Sequence, residues 1–226
     1  FAAPRRMARD TARRMTRDGR AVAVVRWSTF PLLVGGATVA ALLLVDRVAA
    51  ELLVGAAGFA AVVIIAVLER IAPYRAAFNR ARGDVLTDLL HNLISGVAVP
   101  EVARLVALVA VAGAGAWLRR QLGFSLWPTE APLGLQLVLA LLVAELPSYV
   151  LHRAQHHYPL WWRMHATHNS APRLYWLNAG RFHPLDAIVS YVLLVFPLVL
   201  LGVPERTLTV MTVVITVHGL LQHSNV

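Results

Sequence analysis

Nine histidines are the residues of this sequence whose type and spacing could do chemistry. They are His91, His152, His156, His157, His165, His168, His183, His218 and His223. His152 and His156 are four residues apart, and His165 and His168 are three apart, so a helix would place each pair on one face. Imidazoles on successive helical turns can chelate a metal, and iron, zinc, copper and nickel all accept them. The cluster between residues 152 and 168 therefore predicts a metal site.

The lack of cysteine limits the ligands of such a metal to nitrogen and oxygen. The sequence contains no cysteine, which excludes disulfide scaffolds, zinc ribbons, thiolate catalysis and cysteine-bound clusters. Calcium and magnesium are disfavoured, because they prefer oxygen ligands and acids are few near the histidines. The converging histidines exceed the three or four that a single ion uses. The pattern therefore predicts two metal ions.

Some of these histidines have an alternative interpretation. His157 directly follows another histidine, so on a helix its ring points about 100° away and is either a ligand or a surface residue. His218 and His223 are five residues apart, about 140° round a helix, so both can be ligands only if the helix ends between them. For the isolated His91 and His183, the alternative is a structural ring held by hydrogen bonds. All remain candidate ligands.

Carboxylates and one tyrosine close to these histidines could orient their rings. A ligating imidazole usually donates its other N–H to a carboxylate or a carbonyl group. Ionisable groups beside apolar stretches are costly, which makes them functional candidates. We interpret Arg163, Arg173 and Arg181 instead as contacts to lipid headgroups. The candidates that share a helical face with a histidine, or follow one by three residues, are Asp84, Asp88, Glu145, Tyr149 and Asp186.

The elements that must position these residues are apolar. Hydrophobic residues make up 58% of the 226 residues, charged residues 15%, and the mean hydropathy is +0.62. This composition excludes a soluble domain, a disordered chain, a coiled coil and a nucleic-acid-binding domain. All 21 basic residues are arginine, and the first 26 residues carry +6 of the net charge of +9. We therefore predict a multi-pass protein of the cell membrane, with no nucleic-acid partner.

Apolar stretches of spanning length predict the topology. Arginines at both ends of the first hairpin place the N-terminus and the loop 70–82 in the cytoplasm, and all nine histidines then lie near the cytosolic face. Residues 84–118 read as one long helix kinked near Pro100, and Trp117 and Trp127 are expected at the opposite interface. The predicted crossings are 25–45, 52–68, the second half of 84–118 and 135–151, followed by 187–203 and 207–217, which span or dip in and return.

Five segments together resemble the fatty acid hydroxylase/sterol desaturase superfamily. They are 145–157 (ELPSYVLHRAQHH), 159–170 (PLWWRMHATHNS), 174–178 (LYWLN), 181–186 (RFHPLD) and 218–225 (HGLLQHSN). The resemblance implies an all-α integral membrane helical bundle with a cytosolic histidine-box metal cap. It divides the chain into an arginine-rich cytoplasmic tail (1–24), a transmembrane hairpin with a cytoplasmic loop (25–83) and a catalytic domain (84–226).

The resemblance also implies an activity. Members are membrane-bound, non-haem di-iron enzymes that use O2 to hydroxylate or desaturate lipid C–H bonds. It implies two iron ions, with zinc as an alternative in isolated protein, O2 as co-substrate and a membrane lipid as substrate. The electrons would come from a separate donor, a cytochrome b5-like protein, a ferredoxin or a flavoprotein. The nine histidines would be the metal ligands, and Asp88, Glu145, Tyr149, Asn169 and Asp186 would surround them.

The sequence departs from the family pattern at two places. The second histidine box is normally H-x-x-H-H, and its last position here is Asn169, a weaker ligand. The final H-x-x-H-H box is expected after Val226, within a few tens of residues, if the natural protein continues.

Two other functions remain as alternatives at this point. A membrane haem-b electron carrier needs paired histidines on separate spanning helices, which leaves the spacing of the clustered histidines unexplained. A metal transporter needs histidines and acids at several depths, whereas these residues are predicted to gather at one level.

Overall fold

Long apolar stretches fold as helices because a helix satisfies every backbone hydrogen bond within its own segment. The computed structural model describes the backbone of residues 3–226, and the side chains of that range except 3–18, 20, 21, 106–110 and 112. Every regular element in this described part is helical, which confirms the all-α prediction. The α-helices are α1 (Ala3–Leu44), α2 (Ala50–Ile71), α3 (Val85–His91), α4 (Val99–Leu122), α5 (Leu133–His157), α6 (Pro159–Asn169), α7 (Pro184–Leu201) and α8 (Glu205–Gln222).

Four of these helices are long and apolar enough to cross a membrane. The segments are Val22–Leu44 of α1, Ala50–Ile71, Leu133–His157 and Pro184–Leu201, so the chain is a multi-pass membrane protein. Helix α8 packs against α1, α2 and α5, and α4 packs against α7. The backbone of α1 includes most of the arginine-rich segment, whose side chains up to residue 18 lie outside the described part.

The predicted long helix over 84–118 contains an irregular segment. Between α3 and α4 the backbone is π-helical over Asn92–Ala98, and Pro100 lies in the first turn of α4. Proline has no N–H, so Pro100 cannot donate to the carbonyl of Gly96, and the regular α-helix begins only at Val99, directly before the proline. The irregularity therefore precedes the proline and lies close to His91.

One end of the bundle is formed by the turn between α1 and α2, the end of α7 and the starts of α5 and α8. An exposed ion pair joins Asp46 to Arg206 there, at 3.0 Å. Trp127 is 4% exposed and donates its indole N–H to Gln136 at 2.9 Å. Trp127 therefore satisfies its N–H inside the protein rather than at lipid headgroups, and its depth at the interface stays a prediction. Trp117 remains exposed.

The other end, which we call the histidine end, carries the candidate chemistry. Here α5 and α8 finish, α7 begins, and α6 folds back on α5. The reversal occurs at Tyr158, whose backbone is extended (φ −106°, ψ 128°). A residue before proline avoids the helical region, and Pro159 then starts α6 with a fixed φ. The sequence Tyr-Pro thus sets α6 beside the last turn of α5.

Candidate metal centre

Three imidazoles from two helices converge at the histidine end. His152 and His156 lie on the last turns of α5, and His165 lies on α6. One ligand atom from each ring lies within 4.8 Å of the other two. The ring centroids are 4.7 Å (His152–His156), 4.7 Å (His152–His165) and 5.1 Å (His156–His165) apart. The helical spacing and the turn at Tyr158 together produce this group of three.

His165 is oriented by a buried carboxylate. The ring is 2% exposed, and its Nδ1 lies 3.0 Å from Oδ2 of Asp186 at the start of α7. A carboxylate only accepts hydrogen bonds, so Nδ1 carries a proton, and in the neutral ring Nε2 presents a lone pair. Nε2 is buried and has no hydrogen-bond partner among the described residues. A buried ring nitrogen without a hydrogen-bond partner needs an explanation, and binding a metal ion would supply one.

His168 and His223 form a second pair beside the first group. Their Nε2 atoms lie 3.0 Å apart, and the His165 and His168 ring centroids are separated by 5.3 Å. Nδ1 of His223 bonds to the Gly219 carbonyl at 2.8 Å, which leaves its Nε2 as an acceptor. Burial, with smaller contributions from His223 and His165, lowers the pKa of His168 to about 4. The ring is therefore neutral near pH 7, as a metal ligand must be.

These five rings form what we call the imidazole row: His156, His152, His165, His168 and His223. His165 is buried, whereas His152 and His156 are exposed. The row offers imidazole nitrogens as donors, which suit iron, zinc or copper. The 3.0 Å between the Nε2 atoms of His168 and His223 is a hydrogen-bond distance, and two imidazoles this close could share one ion. The residues present therefore fit a metal centre.

Two predicted ligands lie next to the row but make other contacts. Nδ1 of His91 bonds to the Phe182 carbonyl at 2.9 Å. His183 caps α7, where its Nδ1 accepts the Leu185 N–H at 3.2 Å. The structure does not bring either ring into the imidazole row, and their role as ligands stays a prediction.

Two further predicted ligands are separated from the row. His157 is exposed, and its ring lies edge-on to Tyr158. His218 lies edge-on to Phe30 at 5.6 Å. Helix α8 ends at Gln222, so the helix end required by the spacing of the last two histidines lies just before the second of them. Neither ring joins the row here, and their role as ligands also stays a prediction.

Two of the predicted second-layer acids pair with arginines rather than with His91. Buried Asp88 accepts from Tyr175 Oη and from Arg181, each at 2.8 Å. Asp84 accepts from Nε of Arg173 at 2.6 Å, and both side chains are 4% exposed. The interpretation of Arg173 and Arg181 as headgroup contacts is therefore wrong, because both guanidiniums compensate buried carboxylates. Burial and the bond to Asp88 raise the pKa of Tyr175, so its phenol remains a donor.

The other predicted neighbours of the histidines have weaker connections. Tyr149 Oη accepts from Arg153 at 3.2 Å, and Glu145 is exposed one turn before it. Asn169 donates to the His165 carbonyl at 3.3 Å, so its side chain terminates α6 in this structure. Asp186, predicted from its spacing to another histidine, is the carboxylate that holds His165.

Sequence reasoning missed two other buried polar residues near the row. Gln155 donates its amide to Asp186. Glu69, at the end of α2, accepts the backbone N–H of Trp176 at 2.8 Å and of Asn225 at 3.0 Å. Glu69 thereby ties the residues after α8 to the loop above the row. Glu69 could have been identified from the sequence, because it is an acidic residue at the end of an apolar segment of spanning length.

Two apolar grooves flank α7. One, of about 720 Å³, lies between α5 and α7, and Leu151 and Trp161 are among its lining residues. The other, of about 570 Å³, lies between α4 and α7, and Ile188 and Val192 line both grooves. A third, more polar cavity of about 350 Å³ is lined by His168 and by residues of the loop after α6.

Two comparisons with known proteins found matches. Residues 137–226 match the family model described as fatty acid hydroxylase. Over 167 residues the chain is 34% identical to the ornithine lipid hydroxylase OlsE of Rhizobium tropici, covering 73% of this chain and 50% of that protein. The chain thus spans about half the length of that relative. No solved structure matches the chain.

The fold and the site together define an all-α membrane protein with a candidate metal centre at one end of the bundle. With these matches, the chain belongs to the fatty acid hydroxylase/sterol desaturase superfamily. The matched residues 137–226 include all five histidines of the imidazole row.

Proposed function

We propose that this chain hydroxylates a membrane lipid with O2 at a non-haem iron centre held by the imidazole row. One observation supports the metal centre above the others: His165, whose ring is grouped with His152 and His156, is held by Asp186 at Nδ1 and has a buried Nε2 without a hydrogen-bond partner among the described residues. The similarity to a relative named as an ornithine lipid hydroxylase supports hydroxylation over desaturation.

The imidazole row has enough donors for two ions. His152, His156 and His165 would hold one, and His168 with His223 would contribute to a second. When bound, iron supplies the redox chemistry with O2 that removes hydrogen from a lipid C–H bond. Electrons would come from a separate donor protein. The residues of the chain orient two of the rings, with Asp186 bonded to His165 and the Gly219 carbonyl bonded to His223, and burial keeps His168 neutral.

The apolar groove between α5 and α7 would hold the acyl chain of the substrate. Its lining is aliphatic and aromatic, and it runs along two helices of spanning length. Leu151, in the lining, directly precedes His152, and Trp161 lies one helical turn before His165. An acyl chain seated there loses contact with water, and its position relative to the row would decide which methylene reacts.

The positive-inside rule supports a cytosolic position for the histidine end in the cell membrane. Three acids at this end, Asp84, Asp88 and Asp186, are buried in pairs or networks. The arginines of this end that remain exposed are Arg70, Arg75, Arg80, Arg82, Arg153 and Arg163.

The test is turnover of a defined lipid. Full-length protein in liposomes of phospholipid and ornithine lipid would receive Fe(II), O2 and a ferredoxin with its reductase. We expect the lipid to gain one oxygen atom by mass spectrometry, with His165→Ala inactive and Arg163→Ala, an exposed change on the same helix, active. If iron-loaded, reduced wild-type protein leaves the ornithine lipid unchanged, ornithine lipid is not the substrate. Turnover by His165→Ala would contradict the metal site.

A further inference from the structure

Gln155 is a buried polar residue inside a membrane-spanning helix. It lies on α5 immediately before His156, is 2% exposed, and faces α7. Its Nε2 donates to Oδ1 of Asp186. A buried amide in such a helix is costly unless it is hydrogen-bonded, so its partner explains why the side chain is tolerated there.

Asp186 uses both carboxylate oxygens. Oδ1 accepts from Gln155 and, at 3.4 Å, from Ser190 one turn later on α7, and Oδ2 accepts from His165. The carboxylate is thereby held at both oxygens. The partners of Oδ1 fix the orientation of the carboxylate plane, and this orientation determines how Oδ2 approaches the imidazole. Rotation of the carboxylate would break the bond to Nδ1 of His165.

We infer that Gln155 is a positioning residue of the metal centre: its amide orients Asp186, which in turn holds the His165 ring with Nε2 open to the metal. This inference rests on the metal centre in the proposed function. The relay joins α5, α6 and α7, so it also fixes the relative position of the two helices that supply His152, His156 and His165.

The chemical type of residue 155 suits this role. An arginine or lysine at that position would form an ion pair with Asp186. The added positive charge would weaken the effect of the carboxylate on His165. An amide satisfies the same oxygen without adding charge, so the carboxylate continues to make the imidazole a stronger donor to a metal. A leucine of similar size would leave Oδ1 short of a donor in a buried site.

Helix α5 contains a matched control, Gln136. It too is buried, at 4% exposure, and it bonds to Trp127, Thr129, Ala131 and Thr207. It lies 19 residues before Gln155, which is about 28 Å along a helix. Replacing either glutamine with leucine removes a buried amide network from the same helix, but only one network touches the imidazole row.

The experiment compares Gln155→Leu and Gln136→Leu with the wild type, all as full-length protein in detergent or nanodiscs. Metal-free thermal stability, the Fe(II) and Zn(II) content and the rate of metal removal by a chelator are measured for each. We expect Gln155→Leu to bind metal about 10–100-fold more weakly, and Gln136→Leu to bind like the wild type although its melting temperature falls. The visible absorption of the Co(II) form should change only in Gln155→Leu.

Equal metal affinity in Gln155→Leu and the wild type would overturn the inference and leave the proposed function standing. Loss of affinity in both variants in proportion to their lost thermal stability would overturn it too, since it would show a general effect of folding. A wild type that binds no metal would instead overturn the proposed function, and the inference with it.

A second comparison tests whether Gln155 acts through Asp186. Asp186→Asn alone is expected to weaken metal binding, and adding Gln155→Leu to it should cause no further loss, because the two residues form one relay. Independent, additive losses would contradict the relay.

Discussion

The Phe182 ring stacks on the His168 imidazole, with ring centroids 4.4 Å apart and planes inclined by 14°. The carbonyl of the same residue accepts from His91 at 2.9 Å and from Ser95 at 2.7 Å. Ser95 lies in the π-helical segment. Phe182 therefore joins the irregular part of the α3–α4 helix to the imidazole row.

Phe182→Leu is expected to weaken this connection without breaking it. The backbone carbonyl remains, so the bonds from His91 and Ser95 persist, while the stacking on His168 is lost at a cost of about 1 kcal/mol. Thermal unfolding of the metal-free protein measures the loss. Phe124→Leu is the control, because Phe124 is exposed, and it should change stability by less than about 0.5 kcal/mol. Equal effects of the two substitutions would contradict the stacking as a source of stability.

Gly180→Ala should destabilise the loop above the row. A Cβ at this position would overlap the side chain of Asn92, which itself donates to the carbonyls of Asp88 and Leu177. Overpacking of this kind costs about 1–3 kcal/mol. The matched change is Gly55→Ala on α2, where a Cβ meets open space and helix propensity favours alanine by about 1 kcal/mol. A Gly180→Ala protein as stable as the wild type would show that the loop can move away from Asn92.

The Asp84–Arg173 pair predicts a pH dependence of stability. Burial raises the pKa of Asp84, but the hydrogen bonds from Arg173 and from the Arg82 backbone lower it more, so the pKa lies below its ordinary value of 3.8. Because folding lowers this pKa, the stabilisation is present above the ordinary value and is lost as the pH falls through the lowered one. Asp84→Asn leaves Arg173 buried without its charge partner and should cost about 3 kcal/mol at neutral pH.

Unfolding of Asp84→Asn and wild type between pH 7 and pH 3 checks that expectation. The difference in stability between the two proteins should be constant at neutral pH and shrink at the acid end. A difference that stays constant down to the acid end would show that the charge of Asp84 does not stabilise the fold.

The elements were predictable to the extent that local spacing determines them. Apolar stretches of spanning length indicated the helices, and the three- and four-residue spacings indicated which imidazoles share a face with a neighbour. Long-range pairing was not predictable in this way. Asp88 shares a helical face with His91, yet its partners are Tyr175 and Arg181, which reach it from a loop remote in sequence. Helical spacing contains no information about such a loop.

The same limit explains the residues around His165. Asp186 was a candidate partner of a metal-binding histidine because it follows His183 by three residues. The packing of α6 on α7 places its carboxylate against His165 instead. The role of Gln155 could not be predicted from the sequence, because an amide next to a histidine box resembles any other polar residue at the end of a helix. Its role follows only from the direction in which α5 faces α7.

Metal content in the wild type, His165→Ala and Arg163→Ala tests the metal centre most directly. Each full-length protein is purified, loaded with Fe(II) without oxygen, freed of excess metal and analysed for iron per chain. We expect Arg163→Ala to retain as much iron as the wild type and His165→Ala to lose the ion shared with His152 and His156, with the metal-free variant still folded by thermal unfolding. Iron retained by a folded His165→Ala at the wild-type level would contradict the centre described above.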